Sequence, residues 1–177
     1  MMMIMMFGIQ EQSTKINVQS YWPSVVASGA MLLATDALSK ERTLGSYTLS
    51  SCDRSSHLIS CNLTYLQGSA ELLLKFAKTH DAYSGQLLKQ HIFDTSVQQN
   101  VTELRQMIDD DGFAEMCRNW TDAERTEIIV KWGYDTAVYI LTIDDIRGSF
   151  VIPSILQVYH LIISCDQSQS AYNVVTF

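Results

Sequence analysis

One long stretch of the chain changes from polar to apolar at a well-marked point. Thr121 and Glu124 have the spacing of a capping box, in which the threonine oxygen accepts a hydrogen bond from a backbone N–H and the glutamate reaches back to the N-cap. From Ile128 to Leu141 only two residues carry a charge, so most of the helix surface is suited to burial against other helices. The pattern predicts a helix from Asp122 to about Asp144 in the middle of a bundle.

Apolar residues recur at helical spacing in several other stretches. Proline is tolerated in the first turn of a helix, so we interpret Pro23 and Pro153 as marks of helix starts. The interval 43–68 is rich in Ser, Thr and Gly and has no sustained period, which indicates a long connection, and residues 1–20 are interpreted as a flexible tail. The further helices are predicted over Ser24 to Glu41, about Ala70 to His91, Val97 to Ile108 and Pro153 to Ser164, with a short turn at Phe113 to Met116.

The length and the proline content agree with one all-α domain. A chain of 177 residues is long enough to bury one hydrophobic core. It has two prolines and none between Pro23 and Pro153, which allows uninterrupted helices in that interval. We predict a single domain over 1–177, a helical bundle in which amphipathic helices surround a central hydrophobic helix.

The charge and the hydropathy exclude some partners. A formal net charge of -7 argues against binding to a phosphate backbone. The apolar N-terminal run Met1 to Phe7 lacks the basic flank of a signal peptide and is shorter than the ~20 residues of a membrane span. The more apolar segment 150–165 contains Pro153 and His160 and is interpreted as a buried helix. We expect no nucleic-acid partner and no membrane span.

No group of residues in the sequence supports enzymatic chemistry. His80 and His91 lie three helical turns apart, too far to share one ion, and His57 and His160 are isolated. The run 109–111 of aspartates lacks the spacing of a calcium loop. Nucleophile-elbow, phosphate-loop and dinucleotide motifs do not occur. We therefore expect a non-enzymatic protein without a metal or a cofactor.

Four cysteines and three asparagine triplets bear on the compartment. Cys52, Cys61, Cys117 and Cys165 form no C-x-x-C pair, and their even number agrees either with two disulfides or with four thiols. Cys117 and Cys165 have apolar neighbours, so we expect both to be buried thiols. Two of the three glycosylation triplets fall in or at helices expected to pack, and we attribute them to chance. The three triplets are Asn62-Leu63-Thr64, Asn100-Val101-Thr102 and Asn119-Trp120-Thr121.

The order of these elements resembles the B-cell-lymphoma-2 (Bcl) family of apoptosis regulators, in which amphipathic helices wrap a hydrophobic central helix. Its first homology motif reads roughly Asp-Gly-x-x-Asn-Trp-Gly-Arg and opens that helix. Asp111-Gly112 and Asn119-Trp120 match parts of it across a longer gap, while Thr121-Asp122 replaces Gly-Arg. In the family this arginine pairs with an aspartate of the ligand helix; here Arg118 and Arg125 are its nearest substitutes.

Other segments are similar to the family at the level of pattern. The segment 80–89 resembles the end of the family's second helix, and 152–161 resembles its sixth. The third homology motif departs where Lys78 takes the place of an aspartate, and neither a second motif nor a membrane anchor is recognisable. Degraded motifs of this kind are typical of virus-encoded members, and the resemblance spans roughly 24–163.

The resemblance implies an apoptosis inhibitor that acts in host–virus interaction. It implies capture of the amphipathic death-motif helix of a pro-apoptotic protein in a hydrophobic groove. The location implied is the host cytoplasm, with mitochondria reached through partners. A second copy of the chain covering the same groove would give a homodimer. The residues expected at the groove are Tyr83, Leu87, Leu88, Val97, Val101, Leu104, Ile108, Arg118, Asn119, Trp120, Ala123 and Arg125.

Two other interpretations remain open on the sequence alone. The chain also fits a small secreted or periplasmic helical inhibitor or immunity protein, in which Cys52 and Cys61 are the candidate disulfide pair. It also fits an ordinary helical bundle, because any such bundle shows a Trp or a Pro at helix starts. The oxidation state of the cysteines separates the secreted protein from the others.

Overall fold

The computed structural model describes residues 2–53 and 57–174, with side chains described over 22–53 and 60–149. Within these residues the chain is helical and has no strand, which confirms the predicted all-α helical bundle. None of the described helices is both long enough and apolar enough to cross a membrane. In chain order the helices are α1 (Met2–Ser51), α2 (His57–His80), α3 (Ala82–His91), α4 (Ser96–Asp109), α5 (Phe113–Asn119) and α6 (Asp122–Val174).

Helix α1 is much longer than the predicted helix over Ser24 to Glu41. It begins at Met2, so the tail predicted over 1–20 is helical, and it runs through Pro23 to Ser51. The connection predicted over 43–68 is wrong, since the chain between the first two helices spans only Ser51 to His57. The physical reason lies in the hydroxyl groups of this interval, which donate to the backbone carbonyl four residues earlier instead of forming turns. They belong to Thr43, Ser46, Thr48, Ser50 and Ser51.

The single helix predicted over Ala70 to His91 is divided at Asp81. The Asp81 backbone is extended, and its carboxylate accepts hydrogen bonds from the backbone N–H of Ser84 at 2.8 Å and from the Ser84 hydroxyl at 2.7 Å. The Ser24 hydroxyl of α1 donates to the same carboxylate at 3.1 Å. Burial alone raises the pKa of Asp81, but these hydrogen bonds hold it below its usual value. The aspartate therefore caps α3 and ties it to α1.

The start of α6 agrees with the prediction, whereas its end does not. The Thr121 backbone N–H donates to the Glu124 carboxylate at 2.7 Å, and the Glu124 backbone N–H donates to the Thr121 hydroxyl at 3.2 Å. Helix α4 also matches its prediction and ends at Asp109. However, α6 continues to Val174 and includes Pro153, so the two helices predicted here are one. Pro153 therefore lies inside a helix and does not mark a helix start.

Helix α6 is enclosed on one side only, which differs from the expected burial of most of its surface. Trp132, Tyr139 and Ile143 are buried, because α1 and α4 pack along that face. On the opposite face three large apolar side chains are exposed, Val130 to 64%, Tyr134 to 68% and Leu141 to 61%. The helix with neighbours along both sides is α1, which packs against α2 and α6.

The core has two parts along α1. In the first part, small side chains of α1 such as Ala27 and Ala34 allow α2 and α6 to approach closely, and Tyr139 packs against them. In the second part, Trp132 of α6 lies directly on Gly45. A Cβ atom at Gly45 would overlap the indole ring, and the indole N–H donates to the Arg42 carbonyl at 2.9 Å. Glycine at this position therefore fixes where α6 crosses α1.

A buried ion pair joins α4 to α1 near the middle of the bundle. Arg105 donates from Nε to one carboxylate oxygen of Glu41 at 2.8 Å and from Nη2 to the other at 2.7 Å. Glu41 is 0% exposed and Arg105 is 6% exposed. Burial lowers the pKa of Arg105, but the hydrogen bonds and the charge of Glu41 raise it, and the net shift is upward. Arg105 Nη1 also lies 3.5 Å from a carboxylate oxygen of Glu71 in α2.

Ionisation of the buried Tyr139 side chain is expected to destabilise the fold at alkaline pH. Burial raises the pKa of Tyr139 from 10.0 to about 12, and the nearby charge of Arg105 offsets only part of that shift. The neutral phenol is thus favoured in the folded chain, and its contribution is complete below pH 10 and lost as the pH rises through about 12. We expect the free energy of unfolding to fall by about 3 kcal/mol across this range. Urea unfolding of thiol-alkylated protein should show this loss, and Tyr139→Phe should lack it; equal losses in both proteins would contradict the assignment.

Candidate functional site

Four of the residues predicted to line the groove are part of the protein's own core. Leu88 of α3 and Val101 of α4 pack in the first core cluster, against α1 and α6. Leu104 and Ile108 of α4 pack in the second cluster with Trp132. All four are at most 6% exposed. Their apolar character was predicted, but in this structure they are not available to line an open groove.

The remaining predicted apolar residues lie in different surroundings. Leu87 and Val97 are half-buried against the first core cluster, while Tyr83 is 56% exposed. Trp120 packs edge-on against Phe113, with 6.1 Å between the ring centroids. Trp120 thus closes the second core cluster near the start of α6.

The two arginines proposed as substitutes for the family's arginine make local contacts. Arg118 is exposed, and its Nε donates to the Ala114 carbonyl at 2.8 Å. Arg125 donates from Nη2 to the Cys117 carbonyl at 3.3 Å, and its buried Nε has no hydrogen-bond partner within the described part of the chain. Asn119 and Ala123 beside them are exposed. Arg125 therefore links the start of α6 to α5.

An open groove lies instead between α1 and α2, and we call it the α1–α2 groove. Its volume is about 890 Å³, within the range of ligand-binding clefts. Tyr47 on one side is 58% exposed and Tyr65 on the other side is 72% exposed. This groove was not predicted, because the sequence 43–68 was interpreted as a connection. Its lining residues are Ser39, Lys40, Thr43, Leu44 and Tyr47 of α1 with Asn62, Tyr65 and Leu66 of α2.

Exposed apolar side chains extend the α1–α2 groove along both helices. On α2, Leu72 is 69% exposed and Phe76 is 44% exposed, and they follow Tyr65 at spacings that keep them on one helix face. On α1, Leu33 is 59% exposed and lies fourteen residues, close to four helical turns, before Tyr47. We call these exposed residues of α1 and α2 the apolar stripe, although on α1 the exposed pair Asp36 and Lys40 lies between Leu33 and Tyr47. Groups of exposed apolar side chains mark interaction sites more often than isolated apolar residues do.

The charged residues beside the groove form ion pairs within their own helices, and Glu71 also lies 3.5 Å from Arg105 of α4. Lys40 donates to Asp36 at 2.6 Å, and Lys75 lies 3.8 Å from Glu71. Tyrosine, serine, threonine and asparagine at its walls give the mixed apolar and hydroxyl surface that is common in protein-recognition sites.

A disulfide joins the end of α1 to α5. Cys52 and Cys117 are bonded, with 5.4 Å between their Cα atoms and a sequence separation of 65, and both are buried in the second core cluster. The expectation that Cys117 is a thiol is therefore wrong, as is the candidate pair of Cys52 with Cys61. Cys61 is exposed on α2, and Cys165 lies outside the described side chains. Spacing alone does not select one pairing among four cysteines, so the sequence held no signal for it.

The described side chains also bear on metal binding and on a second binding surface. Across the described side chains, no group of three or more His, Cys, Asp and Glu residues is placed to hold a metal ion. A second surface depression, of about 430 Å³, is lined by the polar face of α4 and the residues before it, including Gln98 and Glu103. It has no apolar wall comparable to that of the α1–α2 groove.

Comparisons with known proteins give no relative for this chain. Neither a protein-family model, nor a curated protein, nor a solved structure matches it. The α1–α2 groove and the buried disulfide are therefore the features from which a function can be proposed.

The disulfide should contribute substantially to stability. Closing a loop of 65 residues reduces the entropy of the unfolded chain by an amount worth about 4 kcal/mol in the chain-entropy treatment. We expect the Cys52→Ala/Cys117→Ala double variant to lose about that much free energy of unfolding in urea titrations. Cys61→Ala, an exposed control, should change it by less than about 0.5 kcal/mol. A non-reducing peptide map that links Cys52 to Cys61 would contradict the pairing.

Proposed function

We propose that this chain is a non-enzymatic helical protein that binds an amphipathic helix of a partner protein in the α1–α2 groove and thereby inhibits the partner. The observation that carries the proposal is the open groove between two adjacent helices, flanked by the exposed side chains of Tyr47 and Tyr65. A groove between two helices accepts a third helix, whose residues at i, i+3, i+4 and i+7 occupy successive apolar positions.

The length of the apolar stripe sets the size of the ligand. From Leu33 to Tyr47 the rise along α1 is about 21 Å, and from Tyr65 to Phe76 along α2 it is about 17 Å. A ligand helix of roughly 12 to 14 residues would cover this distance at 1.5 Å per residue. Because the flanking charges are already paired, apolar anchors rather than charge would supply most of the affinity.

The disulfide favours one of the two functions considered from the sequence. Disulfides such as Cys52–Cys117 form and persist mainly in oxidising compartments and are rare in the cytosol. It therefore supports a secreted or periplasmic inhibitor ahead of a cytoplasmic apoptosis inhibitor. The apoptosis inhibitor is the second candidate, and the resemblance to the Bcl family makes a pro-death helix the first ligand to test.

A homodimer is a further part of the proposal, through α6 rather than through the groove. Val130, Tyr134, Ala137 and Leu141 follow the alternating spacing of four and three residues that forms a coiled-coil seam. Three of them are more than 60% exposed. Such a seam is typically covered by another helix, and a second copy of α6 provides a matching one.

The α6 seam can be tested without a ligand. We expect light scattering to report a dimer mass for the wild-type chain and a monomer mass for Tyr134→Lys, because the lysine places a charge in the seam. Tyr47→Lys, also at an exposed tyrosine but outside the seam, should remain dimeric. A wild-type chain that is monomeric at all concentrations would contradict the homodimer.

Two tyrosine variants separate the α1–α2 groove from the groove implied by the resemblance. Fluorescence polarisation with a panel of labelled amphipathic helix peptides, including pro-death helices, gives the affinity. We expect Tyr65→Ser to weaken the best peptide at least about tenfold, because loss of a tyrosine anchor in a binding site commonly costs 2 kcal/mol or more. Tyr83→Ser removes an exposed tyrosine from the other predicted site and should leave the affinity unchanged.

The opposite pattern would favour the other candidate. Loss of affinity in Tyr83→Ser but not in Tyr65→Ser would move the site to the groove implied by the resemblance. If no peptide of the panel binds more tightly than tens of micromolar, capture of an amphipathic helix is contradicted for both grooves. Circular dichroism of each variant checks that the helical content is retained.

A further inference from the structure

The three glycosylation triplets have very different surroundings in the folded chain. A glycan is bulky and hydrophilic, so its asparagine must lie at the surface, most often at a loop or a turn. Asn62 and Asn100 lie within α2 and α4, whereas Asn119 is the last residue of α5. Only the Asn119 triplet among the three therefore spans a connection between helices.

In the folded chain Asn100 is only partly exposed and lies against α6. Its side-chain amide lies 3.5 Å from a carboxylate oxygen of Asp135 in α6, as donor to acceptor. Asp135 is 7% exposed and the adjacent Val101 is 0% exposed. A sugar on the Asn100 nitrogen leaves one N–H there, but the sugar itself would have to occupy the space where α4 meets α6.

The surroundings of Asn119 accommodate a glycan. Asn119 and Thr121 are both exposed, and Trp120 between them has an extended backbone with φ of -66° and ψ of 144°. Asn119 lies three residues after Met116, on the same face of α5. Met116 is 38% exposed, so a sugar chain on Asn119 would shield an apolar side chain and would displace no core residue.

The disulfide supplies an independent observation that points to the same compartment. Cys117 lies two residues before Asn119 and is bonded to Cys52. The lumen of the endoplasmic reticulum is oxidising and supports disulfide formation. A chain that acquires this disulfide there also meets the donor for asparagine glycosylation.

We propose that Asn119 is an N-glycosylation site that carries an oligosaccharide when the chain folds in a secretory compartment. The donor is an oligosaccharide linked to a lipid through pyrophosphate. A bond forms between the Asn119 side-chain nitrogen and the anomeric carbon of the first sugar, and the bond from that carbon to the phosphate oxygen breaks. The nitrogen loses one proton, the lipid pyrophosphate leaves with the electron pair, and no group is oxidised or reduced.

The capping box at Thr121 and Glu124 indicates whether glycan transfer or folding comes first. In the folded chain the Thr121 hydroxyl donates to the Glu124 carboxylate at 2.8 Å and accepts from the Glu124 backbone N–H. This hydroxyl belongs to the acceptor triplet, so in the folded chain it is already engaged. Transfer to Asn119 therefore precedes formation of the α6 N-terminus, and the finished fold then keeps the glycan at the surface.

The test uses the full chain directed into the secretory pathway of a eukaryotic cell, with secreted and retained protein both analysed. Peptide mapping after enzymatic removal of N-glycans identifies each modified asparagine. In the secreted protein we expect Asn119 to be occupied and Asn100 to be unoccupied, because a chain that acquires a glycan on Asn100 before folding cannot pack α4 against α6 and is retained. Asn119→Gln should lose the mass of one glycan, Asn100→Gln should lose none, and Thr121→Ser, which keeps both the triplet and the cap, should retain the glycan.

Three results would overturn the proposal. The first is an unmodified Asn119 in both fractions, and the second is equal occupancy of Asn119 and Asn100 in the secreted fraction. The third is a glycan on Asn119 found only in chains that lack the Cys52–Cys117 disulfide, which would show that the sugar and the fold are incompatible. The proposal shares the oxidising compartment with the proposed function but not the groove. A glycan on Asn62, which lines the α1–α2 groove, would count against the groove alone.

Discussion

The burial of the Glu41 carboxylate is the constraint on which the arrangement of the helices depends. A carboxylate with no exposed surface destabilises the fold strongly unless a positive charge and hydrogen bonds compensate it. Arg105 provides both through two hydrogen bonds, so α4 can dock on α1 only in the register that brings these two side chains together. That register places Val101 in the first core cluster and Leu104 in the second.

The same register determines which face of the molecule is left for a partner. The face of α1 that carries Glu41 also holds Gly45 against Trp132 of α6, and the disulfide at Cys52 fixes the end of the helix to α5. The other side of α1 faces α2, and there Tyr47 and the rest of the α1–α2 groove are open to solvent. The proposed binding function therefore uses the surface that the core does not need.

Local interactions were predictable from the sequence, whereas long-range ones were not. The capping box of Thr121 and Glu124 gave the start of α6, because it depends on residues three apart. The Ser- and Thr-rich end of α1 was misjudged, since its hydroxyls bond within a helix that is held by the buried Leu49. An apolar period likewise marked Leu88 as an inward-facing residue, but it does not distinguish burial by the chain's own helices from burial by a ligand. Cys117 was recognised as buried, but its partner depended on the tertiary fold.

A double-mutant cycle between Glu41 and Arg105 tests the central role of the ion pair most directly. We expect Glu41→Leu and Arg105→Met to lower the free energy of unfolding by about 3 to 5 kcal/mol each, because each leaves one buried charge unpaired. The double variant should lose much less than the sum of the two, which gives a coupling energy of several kcal/mol. The exposed pair Asp36 and Lys40 serves as the control cycle, with a coupling of about 0 to 1 kcal/mol. Additive losses for Glu41 and Arg105 in urea unfolding would contradict the account.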